Sequence, residues 1–132
     1  MNTEKKPKNF DWVTARAECS ADKIFEKLKL QVQENVTVRK RLMPSERHYG
    51  FEFVESGSTA FSVTVVGNHL HDSVRFHLGD EQINVRNWNG EEYQLFATLC
   101  DDGECRVKVN GNEYDLWQVS KMALEDLLFK KY

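Results

Sequence analysis

No run of apolar residues in this 132-residue chain is long enough to span a bilayer. The first eight residues, Met1-Asn2-Thr3-Glu4-Lys5-Lys6-Pro7-Lys8, lack the apolar stretch of a secretory signal, so a cytoplasmic protein with no membrane attachment is expected. Cysteine is scarce. Cys19, Cys100 and Cys105 are an odd number in a chain without export features, and they read as reduced thiols. Excess positive charge is missing too: the net charge is -3. Non-specific nucleic-acid affinity rests on many Lys and Arg contacts with phosphate, so nucleic acid is not an expected partner, although local basic runs remain. There is no Gly-rich phosphate loop, no nucleophile elbow, no H-E-x-x-H and no pair of carboxylates that the strand registers below bring together. Glu91-Glu92 and Asp101-Asp102 sit at strand ends, where acidic turns are ordinary. These absences lean away from an enzyme, and no cofactor is expected.

What is present is strand alternation. Tyr49, Phe51 and Phe53 alternate with Gly50, Glu52 and Val54, and the same period recurs at Phe61/Val63/Val65, Val74/Phe76/Leu78, Ile83/Val85, Tyr93/Leu95/Ala97/Leu99 and Cys105/Val107/Val109. One face of a sheet is therefore apolar. Residues opposite each other in a hairpin share a face, so the turns can be tested against the pattern. A two-residue turn at Asn110-Gly111 sets Val109 against Asn112, Val107 against Tyr114 and Cys105 against Leu116, with Lys108/Glu113 and Arg106/Asp115 as charge pairs on the outer face. At Asn89-Gly90 a two-residue turn wastes the pattern. A three-residue loop, Trp88-Asn89-Gly90, restores Val85 to Tyr93 and Ile83 to Leu95, and leaves Trp88 at an exposed tip. By the same logic Asp102-Gly103-Glu104 is expected to turn the next hairpin, with Leu99 facing Val107 and Asp101 facing Cys105.

Helices flank this meander. Ala21, Ile24, Phe25, Leu28, Val32 and Val36 recur at helical spacing behind a candidate N-cap, Ser20. The run Val36-Thr37-Val38 and the position of Arg39 in the stripe suggest a weakening there, and Pro44 ends the helix by Leu42 or Met43. Gln118 to Lys131 carries a second stripe of Val119, Ala123, Leu124, Leu127 and Leu128. Phe10 to Ala17 reads as a first strand. Residues 1–9 are polar and Lys-rich and read as a disordered tail, leaving 10–132 as one α+β domain. A chain of this size buries roughly two-thirds of its surface on folding, enough for a core without staples.

Candidate functional residues are few. His69 and His71 could share a strand face and, with His77 or Asp72, hold a metal, but two histidines without a specific third-ligand spacing are a weak signal, and a solvated polar turn explains them better. Cys100 and Cys105 form a C-x4-C pair, yet the register sends them to opposite faces, and a disulfide needs converging Cβ vectors. Ser20 to Lys23 matches S-x-x-K, which capping by Ser20 explains better. Arg39, Lys40 and Arg41 could grip an anionic partner or simply favour a helix C-terminus. Trp88 and the outward-facing Phe96 are candidate interface anchors. Trp117, Phe129 and Tyr132 are expected mostly in the core.

The stretch leading into Ser20-Ala21-Asp22-Lys23-Ile24-Phe25 resembles the opening of START/Bet v1 helix-grip proteins, and seven strands followed by a helix resemble a pleckstrin-homology barrel. One strand too many and a short last helix separate the chain from the first, and a long first helix from the second, so neither shape assigns a family. The expected role is a non-catalytic module for a protein partner, with a homodimer left open. The alternatives are a cup for a small apolar ligand, lined by Tyr49, Phe51, Phe76 and Tyr93, and a metal- or cysteine-dependent enzyme.

Overall fold

The computed structural model describes residues 9–43, 48–67 and 72–130. Helix α1 (Trp12–Glu18) and helix α2 (Ala21–Leu42) precede seven strands. These are β1 (Tyr49–Glu55), β2 (Ala60–Gly67), β3 (Ser73–Leu78), β4 (Ile83–Arg86), β5 (Glu92–Leu99), β6 (Cys105–Val109) and β7 (Asn112–Tyr114), and helix α3 (Leu116–Phe129) follows them. All seven strands form one antiparallel sheet in sequence order, so the fold is α+β around a meander. No helix among the described residues is long and apolar enough to cross a membrane.

Two hairpins take the registers that alternation predicts. Val85 faces Tyr93 and Ile83 faces Leu95 across the Trp88-Asn89-Gly90 loop. At the tight turn, Val109 faces Asn112 and Val107 faces Tyr114, with Asn110 at φ 50° as a mirror-image turn requires. The pairing stops short of Leu116, however. Leu116 opens α3, where the Asp115 N–H donates to Gln118 Oε1 at 2.8 Å as one half of a capping box.

The hairpin between β5 and β6 departs from expectation. Leu99 faces Cys105 and Ala97 faces Val107. The loop is Asp101-Asp102-Gly103, closed by the Cys100 N–H donating to the Glu104 carbonyl at 2.8 Å and the Gly103 N–H to the Cys100 carbonyl at 2.9 Å. Gly103 has φ 83°, the left-handed conformation of the third loop position. A loop over residues 102–104 would force Glu104 into that position, where a Cβ is unfavourable. Partners therefore slide by two, an even number, and every side chain keeps its face.

The first element is a helix rather than the expected strand. Trp12, Val13 and Thr14 favour strands, but Asp11 accepts from the Thr14 N–H at 3.0 Å and from its hydroxyl at 2.7 Å, capping a helical turn. No residue of α1 is buried, and Trp12 is 63% exposed. α2 runs unbroken to Leu42, past the expected weakening, and Met43 is extended as the residue before a proline prefers. Arg39 leaves the apolar stripe to donate from Nε to the Leu128 carbonyl at 2.8 Å and to lie 4.4 Å over the Phe129 ring, which ties α2 to α3.

Cys19 and Cys105 form a disulfide with Cα atoms 5.5 Å apart, which overturns the expectation of three reduced thiols. Cys100 alone is free. The bond joins the α1–α2 junction to β6 over 86 residues of sequence, so residue spacing gives no hint of it. The inference of a reducing compartment loses its support.

The core lies between the apolar sheet face and the two long helices. Phe61 is its centre, with ring centroids 4.6 Å from Phe76, 5.1 Å from Phe25 and 5.5 Å from Phe53. Ile24, Phe25, Leu28, Val32 and Val36 of α2 and Val119, Ala123, Leu124, Leu127 and Leu128 of α3 close over it, the two stripes predicted from helical spacing. Burying each large side chain contributes ~1.5–3 kcal/mol before the entropy of ordering is subtracted.

Candidate functional site: the outward face of the sheet

The registers that turn Val74, Phe76, Ile83, Val85, Leu95 and Val107 inward turn their neighbours outward. Three rows result. Arg75 stands opposite Arg86, which stands opposite Glu92. His77 stands opposite Asn84, and Asn84 opposite Gln94. Phe96 stands opposite Lys108. The rows line an open groove of about 890 Å3 that reaches the Asn110-Gly111 turn.

Its electrostatics are uneven. Arg86 donates through Nε and Nη2 to Glu92 Oε1 at 3.0 and 2.8 Å. Among the described residues, Arg75 and Lys108 make no ion pair. Arg75 directly opposite Arg86 is a like-charge pair, which costs a sheet stability. Phe96 is 43% exposed in the midst of these polar groups. Folding alone gives no reason for either feature.

The residues singled out from the sequence do not gather at one place. Of the five candidate binding residues, Phe96 alone lines this groove. Trp88 is not an exposed tip: it is half-buried against the core, with Lys130 Nζ 4.0 Å from its ring centroid. Arg39 is engaged with α3, while Lys40 and Arg41 are exposed at the end of α2. Tyr49, Phe51 and Phe76 belong to the core, Tyr49 packing edge-on to Phe51 with centroids 5.9 Å apart. Tyr93 is half-buried and packs against the core; its hydroxyl is buried with no hydrogen-bond partner, and burial pushes its pKa up to about 12.

Trp117 and Phe129, expected mostly in the core, are 57% and 63% exposed. With Leu42 they rim a second groove of about 360 Å3 between α2 and α3. Near its floor, the buried Ser120 hydroxyl donates to Asn35 Oδ1 at 2.5 Å.

The remaining chemical candidates are dispersed. The Ser20 hydroxyl donates to Asp22 at 2.7 Å rather than to a helix amide, and Lys23 lies 3.8 Å from Glu18, so no Ser–Lys pair forms. Burial, reinforced by Glu113 and opposed by Arg106, raises the pKa of the Cys100 thiol and favours its protonated form. Among the described residues no three His, Cys, Asp or Glu side chains are placed to hold a metal; His69, His71 and Tyr132 lie outside the described residues.

Arg75, Arg86 and Lys108 were not among the expected binding residues, and His77 was named only as a possible metal ligand, although each lies next to a buried residue in the alternating pattern of its strand. The chain matches no protein-family model, no curated protein and no solved structure.

Proposed function

We propose that this chain is a non-catalytic binding module that docks a protein partner on the outward face of strands β3 to β6. The observation that carries this reading is an exposed Phe96 sharing one groove with two cations that form no ion pair among the described residues, Arg75 opposite Arg86 and Lys108 opposite Glu113. Aromatic anchors ringed by charged groups are typical of interface centres and rims. A cytoplasmic setting was expected from the missing secretory stretch and from reduced thiols; the Cys19–Cys105 bond removes the second ground and favours an oxidising compartment.

A photo-reactive phenylalanine in place of Phe96 tests the docking face in the protein's own cells. It is expected to capture one defined protein, to lose it when Arg75→Gln is added, and to capture nothing from the control position Lys27 on α2. Equal adducts from the two positions, or none from Phe96, would overturn the reading.

A further inference from the structure

Three cations and one carboxylate line the outward groove of a chain whose net charge is -3. Glu92 engages Arg86, which leaves Arg75 and Lys108 as the groove's cations without an ion pair among the described residues; Lys108 has Glu113 opposite it on β7, on the side away from Phe96. Arg75 is on β3 and Lys108 on β6, three strand spacings away, and their rows cross β5 at Glu92 and Phe96, four residues apart. At ~4.8 Å per strand and ~3.3 Å per residue the two cations are roughly 20 Å apart over the sheet, the reach of about six extended residues. The diagonal between them passes Asn84 and Gln94 and ends beside Phe96.

We propose that the occupant is an extended acidic peptide segment lying along this diagonal, with one carboxylate at Arg75, a second at Lys108 about six residues on, and an apolar side chain against Phe96. This assignment rests on the docking face proposed above and narrows its partner to one class. Side-chain amides offer a donor and an acceptor each, so Asn84 and Gln94 complement the N–H and C=O groups of a peptide backbone. A phosphate backbone only accepts, and would leave both amide oxygens unmatched. Two open cations also supply too few phosphate contacts for a nucleic acid, whose non-specific affinity accumulates over many.

The test is fluorescence anisotropy on the full chain with a labelled peptide of about nine residues, carrying glutamates six apart and a leucine beside the second. Binding in the micromolar range is expected, weakening about tenfold in Arg75→Gln and in Lys108→Gln and unchanged in Lys40→Gln. Lys108→Glu is expected to bind the peptide poorly and to recover when its second glutamate is exchanged for lysine, a rescue that a misfolded variant could not give. Equal affinity for the all-lysine peptide, wild-type affinity in both neutral variants, or tighter binding of a short single-stranded DNA would overturn the assignment. Adducts from Phe96 without peptide binding would condemn the acidic-segment class alone; absence of both would remove the docking face as well.

Discussion

Along β3, Val74 and Phe76 are fully buried, whereas Arg75 and His77, their immediate neighbours in sequence, lie exposed on the other side of the same strand. The inward face obeys the demands of folding: every strand from β1 to β6 contributes a buried apolar residue, and two helices cover them. The outward face has no such obligation, and it carries choices that folding disfavours, an arginine opposite an arginine and a phenylalanine in water. Residues that a fold does not need are where binding is most economically sought.

The largest expected effect lies inward. Phe61→Ala removes the ring that Phe25, Phe53 and Phe76 surround, and should cost ~3–5 kcal/mol, seen as a lower urea midpoint with little change in slope. A loss below about 1 kcal/mol would mean that this face is not the packed one. Next comes the link between β6 and the start of α2. Replacing Cys19 and Cys105 together by alanine should cost ~2–4 kcal/mol, through the freedom returned to an unfolded chain closed over 86 residues. Trp12→Ala should change stability by less than about 0.5 kcal/mol, because α1 buries nothing, and this contrast separates the cross-link from the helix beside it.

How much of this was legible follows the same division. Alternation and turn chemistry disclosed the order of the seven strands and the inward face, since burying six apolar segments on one side leaves few consistent registers. The β5–β6 loop was misplaced by one residue because a glycine marks a turn without saying which position it occupies, and Gly103 occupies the third. α1 escaped because Asp11 outweighs the strand preference of Trp12 and Val13, a local competition that composition does not rank. The disulfide is a tertiary fact with no local trace. Trp88 was assigned to an exposed tip, but Lys130, 42 residues later in sequence, covers its ring. The outward cations escaped for a different reason: Arg39-Lys40-Arg41 is a basic run in sequence, whereas Arg75, Arg86 and Lys108 are distant in sequence and share one groove only through the pairing of the strands.

Tyr93 lies on the inward face opposite Val85, and a smaller effect is expected there. Its buried hydroxyl has no partner, so Tyr93→Phe should stabilise the fold by about 1 kcal/mol. The pH dependence has a definite sign. Burial raises the folded-state pKa from 10.0 to about 12, so the unfolded chain releases this proton first as the pH climbs. Stability from this group is whole below pH 10.0 and is lost as the pH rises toward about 12. Denaturation midpoints of wild type and Tyr93→Phe should therefore diverge above pH ~10. Parallel curves would show the hydroxyl to be solvated.

The smallest effect on stability is the one that divides the faces most cleanly. Arg75 opposes Arg86 with no carboxylate of its own, and Glu92 serves only Arg86. Arg75→Gln keeps a polar side chain, removes the repulsion and should raise stability by a few tenths of a kcal/mol, more at low salt than at high. The same substitution is expected to weaken the acidic peptide about tenfold. Inward residues cannot behave this way, because whatever Phe61→Ala does to binding it does by loosening the sheet. A side chain whose loss helps the fold and harms the complex has no structural reason to be there. If Arg75→Gln instead lowers the urea midpoint, Arg75 is part of the scaffold, and the division between a folding face and a binding face fails at its most exposed point.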